Sequence, residues 1–175
     1  MRRIGVIVAL GALLSMLAGT ATATPALAVG GRGDGWVYQD FGPGFTTTNC
    51  GFEIDATQDV DNVFAKALTA PDGSMILLFT GAAKITFTNP ANGKSVSTNV
   101  SGPAKIIVSP DGTTTTFQMM GPGPVDLAPA DAERLGLPAL FVFAGKGSAT
   151  LDAAGNIISA SLKGHMLVNV CAALS

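Results

Sequence analysis

At 175 residues, with 47% hydrophobic and only 13% charged side chains, the chain has the length and apolar content of one domain with its own core. Ten basic residues stand against 12 acidic ones, and without Arg2 and Arg3 the balance is eight against 12. No cationic block occurs anywhere, which makes nucleic acid and anionic lipid surfaces poor partners, because both need clustered Lys or Arg to displace counterions.

Residues 1–28 read as a secretory signal: Met1-Arg2-Arg3 is cationic, Ile4 to Ala18 is an apolar run, and Ala26-Leu27-Ala28 is a small-x-small cleavage pattern. The run is short for a membrane span, which takes roughly 20 apolar residues. General secretion and a free extracellular product follow, with no stable membrane insertion after cleavage. About 147 residues remain. They divide into a Gly- and aromatic-rich arm (29–49) and one β domain (50–175).

The arm carries GWVYQDFGPGF, which holds Trp36, Tyr38, Phe41 and Phe45, including the only Trp and the only Tyr of the chain. Aromatics at this density are candidate contacts for a flat ligand or a partner protein. The competing expectation is that the arm packs as an extra strand or seals a barrel mouth. Cys50 follows, and Cys171 lies near the C-terminus; an even cysteine count in an oxidising compartment predicts that the two pair. Such a bond would clamp the first strand to the last.

From Gly51 onward, short runs of Val, Ile, Thr and Phe alternate with turn signals. Strands are expected at 52–58, 62–69, 74–80, 83–88, 94–100, 104–109, 113–120, 139–145, 147–152, 157–163 and 165–170. In KITFT, Ile85 and Phe87 fall on one face and Lys84, Thr86 and Thr88 on the other, as in antiparallel strands wet on one side. The words APDGS, NPANGK, SPDGT and DAAGN place Pro, Asp or Asn before Gly, the chemistry of tight hairpins. The fold class is therefore all-β, an antiparallel meander forming a closed or nearly closed β-barrel, with a β-sandwich as the alternative.

One segment breaks this rhythm. GPGPVDLAPADAERLGLP (121–138) predicts a short helical insertion, with Pro129 in its first turn, Asp131 and Glu133 early, Gly136 as terminator and Pro138 beyond. Leu127, Leu135 and Leu137 would make it either a lid or a plug over one barrel end.

Groups able to move protons are few. His165 is the sole histidine, no Ser sits in a nucleophile elbow, and the Cys and His count is too small for zinc. Asp55, Asp59 and Asp61 form the densest acidic patch, a weak calcium candidate without EF-hand spacing and more simply a solvated turn. No cofactor and no catalytic residue is assigned. Met75, Met119, Met120 and Met166 could adapt a barrel interior to a small apolar guest, or fill gaps in a solid core.

The words TNPANGKSVSTNVSGPAKIIVSPDGT, with CGFEIDAT before them and VNVCAALS after, resemble a group of small exported proteins from high-GC Gram-positive (actinobacterial) bacteria. Members look like a signal segment, a CGF start, an NPxTGKSV hairpin, an SGPxxxxxxxDGT hairpin and a C-terminal Cys. The resemblance covers Cys50 to Ser175, departs at PADAERLGL, and implies export and the paired cysteines but no activity. Two functions are carried forward. One is a secreted non-catalytic domain binding a small apolar ligand or a cell-surface protein, with Trp36, Tyr38, Phe41, Phe45 and His165 as candidate contacts. The alternative is a small barrel enzyme of isomerase or cyclase type, using His165, Glu53 or an Asp.

Overall fold

Four turn sequences set the strand order. In each, an Asp or Asn oxygen accepts the backbone N–H two residues ahead: Asp72 from Ser74 (2.9 Å), Asn89 from Ala91 (2.9 Å), Asp111 from Thr113 (3.0 Å) and Asp152 from Ala154 (2.9 Å). The computed structural model describes residues 31–175, and the predicted signal segment lies outside them. The strands are β1 (Gly31–Arg32), β2 (Trp36–Tyr38), β3 (Gly44–Thr47), β4 (Ile54–Thr69), β5 (Met75–Thr88), β6 (Ser95–Asn99), β7 (Ala104–Val108), β8 (Thr114–Asp126), β9 (Leu140–Asp152) and β10 (Ile157–Asn169). Two helices, α1 (Pro129–Leu135) and α2 (Val170–Leu174), complete the chain. The four turns join β4 to β5, β5 to β6, β7 to β8 and β9 to β10, as their chemistry predicts.

Strand lengths depart from the sequence reading. Residues 52–58 and 62–69 form parts of one strand, β4, with a bulge at Asp59, where the register shifts between Gln58 and Val60. Likewise 74–80 with 83–88, 139–145 with 147–152, and 157–163 with most of 165–170 are single strands, and the strand expected at 113–120 runs on through GPGPVD to Asp126. The glycines that look like turns are mid-strand bends. Gly121 pairs with Gly145 and Gly145 with Gly164, so three neighbouring strands carry glycine at one level. A Cβ on Gly145 would overlap the Lys163 carbonyl, and one on Gly164 the Ala144 carbonyl. Close backbone approach at φ +149° and +158° leaves room only for glycine there, and the ladder creases without breaking.

All ten strands belong to one antiparallel sheet, in the order β1-β2-β4-β5-β7-β8-β9-β10, with β3 also pairing β4 and β6 also pairing β5. This single sheet is not the two-layer sandwich. Nor does the ladder close into a cylinder: among the described residues nothing pairs β10 back to β1, β2 or β3. Side chains from β4 and β5 and from β8, β9 and β10 nevertheless face one shared interior, so the sheet curls strongly.

The interior has two ends of different character. At one, Ile54, Phe87, Leu140, Phe141, Val142, Val170 and Leu174 are all fully buried, and each contributes about 1.5–3 kcal/mol. The sequence reading has no counterpart of α2, which turns this end into a closed cap. Asn169 starts the helix by accepting the Ala172 N–H (3.1 Å), and Asn89 and Asn92 of the β5–β6 turn donate to the Leu174 carbonyl at 2.9 and 3.0 Å. Lys94 Nζ reaches the Ser175 oxygen. Cys50 and Cys171 are bonded across 121 residues, with their Cα atoms 5.3 Å apart. The bond joins the β3–β4 connection to α2, and so does not clamp the first strand to the last.

Candidate ligand cavity

At the other end the sheet's concave face is hollow. A cavity of about 480 Å³ lies there, walled by Val63, Phe79, Ala83 and Ile85 from β4 and β5, by Ile106, Phe117 and Val125 from β7 and β8, and by Ala149, Leu151, Ile157 and Leu162 from β9 and β10. Its volume falls within the 300–1,000 Å³ typical of small-molecule sites. None of the fully buried side chains at the capped end touches it. Pairing register explains the lining: Ala104, Met119, Gly147 and Leu162 follow one another across four strands, and so do Ile106, Phe117, Ala149 and Ala160. The intervening row of Lys105, Gln118, Ser148 and Ser161 falls on the opposite face by strand alternation, so its share of the wall is backbone.

The segment after β8 closes part of this space. Leu127, Leu135 and Leu137 reach the cavity from either end of α1. Pro129 opens that helix, Gly136 ends it at φ 66°, ψ 33°, and Arg134, paired within the helix to Asp131 (2.6 Å), ties it to β10 by donating to the Ile157 carbonyl (3.3 Å). Its predicted bounds hold, while the GPGPVD that precedes it is strand.

The aromatic arm divides. Phe41 and Phe45 line the cavity, the former with its ring 6.2 Å from Phe79. Trp36 and Tyr38 do not: they lie in β2, laddered onto β4, with the Tyr38 hydroxyl donating to the Asp61 carbonyl (3.3 Å) and its ring edge-on to Phe64. Burial, then the Asp61 and Asp40 carboxylates, hold the Tyr38 phenol above its ordinary value. His165 is exposed on β10, opposite Ala144 and outside the cavity, and Glu53 is likewise exposed and apart from it. Of the four methionines considered as adaptable lining, only Met119 borders the space, while Met120 and Met166 are 53% and 40% exposed.

The acidic triplet does not converge. Asp55 accepts from Thr46 (2.9 Å), Asp59 from Thr86 (2.6 Å) and Ser97 (3.3 Å), and Asp61 from the Phe41 N–H (3.0 Å). All three lie within the long strand β4, whose ladder continues through the point where a turn was expected. Among the described residues no group of three or more His, Cys, Asp or Glu is placed to hold a metal ion.

Comparison with known protein families, curated proteins and solved structures gives no match. What the site does must therefore come from its own chemistry, and that is apolar. The cavity wall contains no Asp, Glu, His or Cys; its one ionisable residue, Lys105, presents backbone, and Gln58, paired with Ile85, brings a neutral amide to the wall.

A carboxylate that sequence reasoning overlooked sits outside this cavity. Asp126, the last residue of β8, is fully buried; its Oδ1 accepts from Asn49 Nδ2 (2.8 Å) and its Oδ2 has no hydrogen-bond partner. Burial raises its pKa above the ordinary 3.8, against the opposing pull of Asn49 and the nearby Thr47. A raised folded value means a contribution to stability that is complete below the unfolded pKa and is lost as pH rises through the folded one. Asp126→Asn removes that titration. In chemical denaturation across a pH series, the variant gains on the wild type as pH climbs from 3.8 through the folded pKa, and the difference is flat on either side. A difference that stays constant across this window would refute the assignment.

Proposed function

We propose that this protein is a secreted, non-catalytic container for one small apolar ligand, its curled sheet serving as a nearly closed barrel. The observation that carries this reading is the hollow end of the core, some 480 Å³ lined mainly by Phe, Leu, Ile, Val, Ala and Met side chains together with glycine and proline. At roughly 30 Å³ per methylene, about a water's share of the liquid, the space corresponds to roughly 16 methylene groups. The disulfide fits an oxidising compartment, and no helix of the described residues is long and apolar enough to cross a membrane.

An isomerase or cyclase would need a proton donor or acceptor within reach of its substrate. With His165 and Glu53 outside the cavity, nothing in the site favours that alternative.

Native mass spectrometry of detergent-free full-length protein is the direct test, with uptake of an added polarity-sensitive dye such as anilinonaphthalene sulfonate beside it. A retained lipid-like mass, or saturable dye uptake that Ala149→Trp weakens by about tenfold or more, supports the reading; an indole at that wall position projects into the space and takes up a substantial part of it. Uptake indifferent to that substitution, together with no retained mass, defeats it.

A further inference from the structure

We infer, building on the proposed apolar container, that the ligand is a single unbranched acyl chain and that Met119 sets the chain length the cavity accepts. Met119 faces the cavity from β8, and its side chain lies along a groove that exists because two neighbouring positions lack side chains. A Cβ added to Gly147, its partner on β9, would lie 2.8 Å from Met119 Cγ and 3.0 Å from Sδ. One added to Gly123, two strand pleats further along β8, would overlap Met119 Cε. The thioether therefore runs flat over both glycines, from Gly147 toward Gly123.

Two consequences follow from that placement. The groove is one unbranched chain wide, because the group filling it is itself an unbranched chain of methylenes and sulfur. A ring would not enter it, whereas the terminal methylenes of an acyl chain would lie where the methionine now lies. The stop is also adaptable: methionine turns about three bonds, and the floor beneath it at Gly147 and Gly123 offers no side chain to lock it. Leu162 borders the same row and closes the far side of Gly147, with Cδ2 3.1 Å from the added Cβ.

The substitutions that test this act in opposite directions. Met119→Ala removes Cγ, Sδ and Cε, so the preferred chain should lengthen by about three carbons. Gly123→Ala pushes the methionine end out of the groove and into the cavity, and Met119→Phe places a ring that the groove does not admit in the cavity instead; both should shorten the preferred chain by about two carbons or more. The probe is an equimolar mixture of saturated straight-chain fatty acids spanning about ten to twenty carbons, a range centred on the cavity volume. It is offered to full-length wild-type and variant proteins, and the retained masses are read by native mass spectrometry. Cooperative thermal unfolding of each variant certifies its fold, and Met119→Phe replaces Gly123→Ala if the latter does not fold. Opposite shifts of the optimum establish the ruler. An unchanged optimum in folded variants overturns it while leaving the container intact; retention of no fatty acid by the wild type overturns the acyl-chain ligand and its ruler, and overturns the container as well only if saturable dye uptake is also absent.

Discussion

A chain carrying Cys50→Ser together with Cys171→Ser is expected to lose about 4–5 kcal/mol of unfolding free energy, because 121 residues are released from a closed loop in the denatured ensemble. The geometry of the attachment adds to the entropic effect. Cys171 lies in α2, a five-residue helix too short to persist by itself, and its buried Val170 and Leu174 form part of the capped end. Asn89 and Asn92 then hold the helix by its last carbonyl, a connection that the turn can make only while the helix stays docked. Equilibrium urea unfolding should show a midpoint lowered by about 2 M, given a slope of roughly 2 kcal/mol/M. Wild type unfolded in the presence of a thiol reductant should coincide with the double variant. A double variant whose midpoint matches the oxidised wild type would mean that the bond constrains nothing.

How much of this was visible in the sequence depends on the range of the interaction. The four hairpins were legible because each is closed within six residues by its own Asp or Asn and a glycine, and no tertiary contact is needed to decide them. The helix at Pro129–Leu135 was legible for the same reason, since Pro129 and Gly136 punctuate it locally. Gly121, Gly145 and Gly164 carry the same letter and a different meaning. Only the pairing of Gly121 with Gly145 and of Gly145 with Gly164 makes them a crease, and that register is set by residues far apart in the chain. The single sheet's failure to close was equally out of reach, because it depends on where β10 ends up relative to β1 and β2.

The site divides along the same line. Phe41 and Phe45 were identifiable by aromatic density, yet Trp36 and Tyr38 shared that density and lie in β2 on the ladder beside β4, a placement set by which distant strand each segment pairs with. His165 drew attention by being unique, a property of composition that carries no position. Asp126 was invisible because a lone Asp after Pro-Val reads as loop, and only the neighbouring Asn49 and the burial of the β8 end give it a role. Hollow and solid cores are written with the same apolar letters. What separates them is the run of Gly and Ala at 104, 123, 147, 149 and 160, whose missing volume becomes a cavity only when register stacks them.

The contrast between the two ends of the core gives the second large effect. Phe87 is fully buried at the capped end and pairs with Ala56 and Val96 on the strands beside it, so Phe87→Ala should cost about 3–5 kcal/mol. Phe117 is nearly as hidden, at 8% exposure, but one side of its ring faces empty space. A wall with no atoms opposite already forgoes much of its dispersion energy, so Phe117→Ala should cost about 1–2.5 kcal/mol. The order reverses for ligand uptake. Phe117→Ala enlarges and reshapes the cavity and should change dye or acyl-chain binding by about tenfold, whereas Phe87→Ala should leave uptake by its folded fraction unchanged. Urea unfolding and dye titration on the same two variants measure both columns of this comparison. Equal stability losses, with uptake altered by neither, would show a core that is filled from end to end.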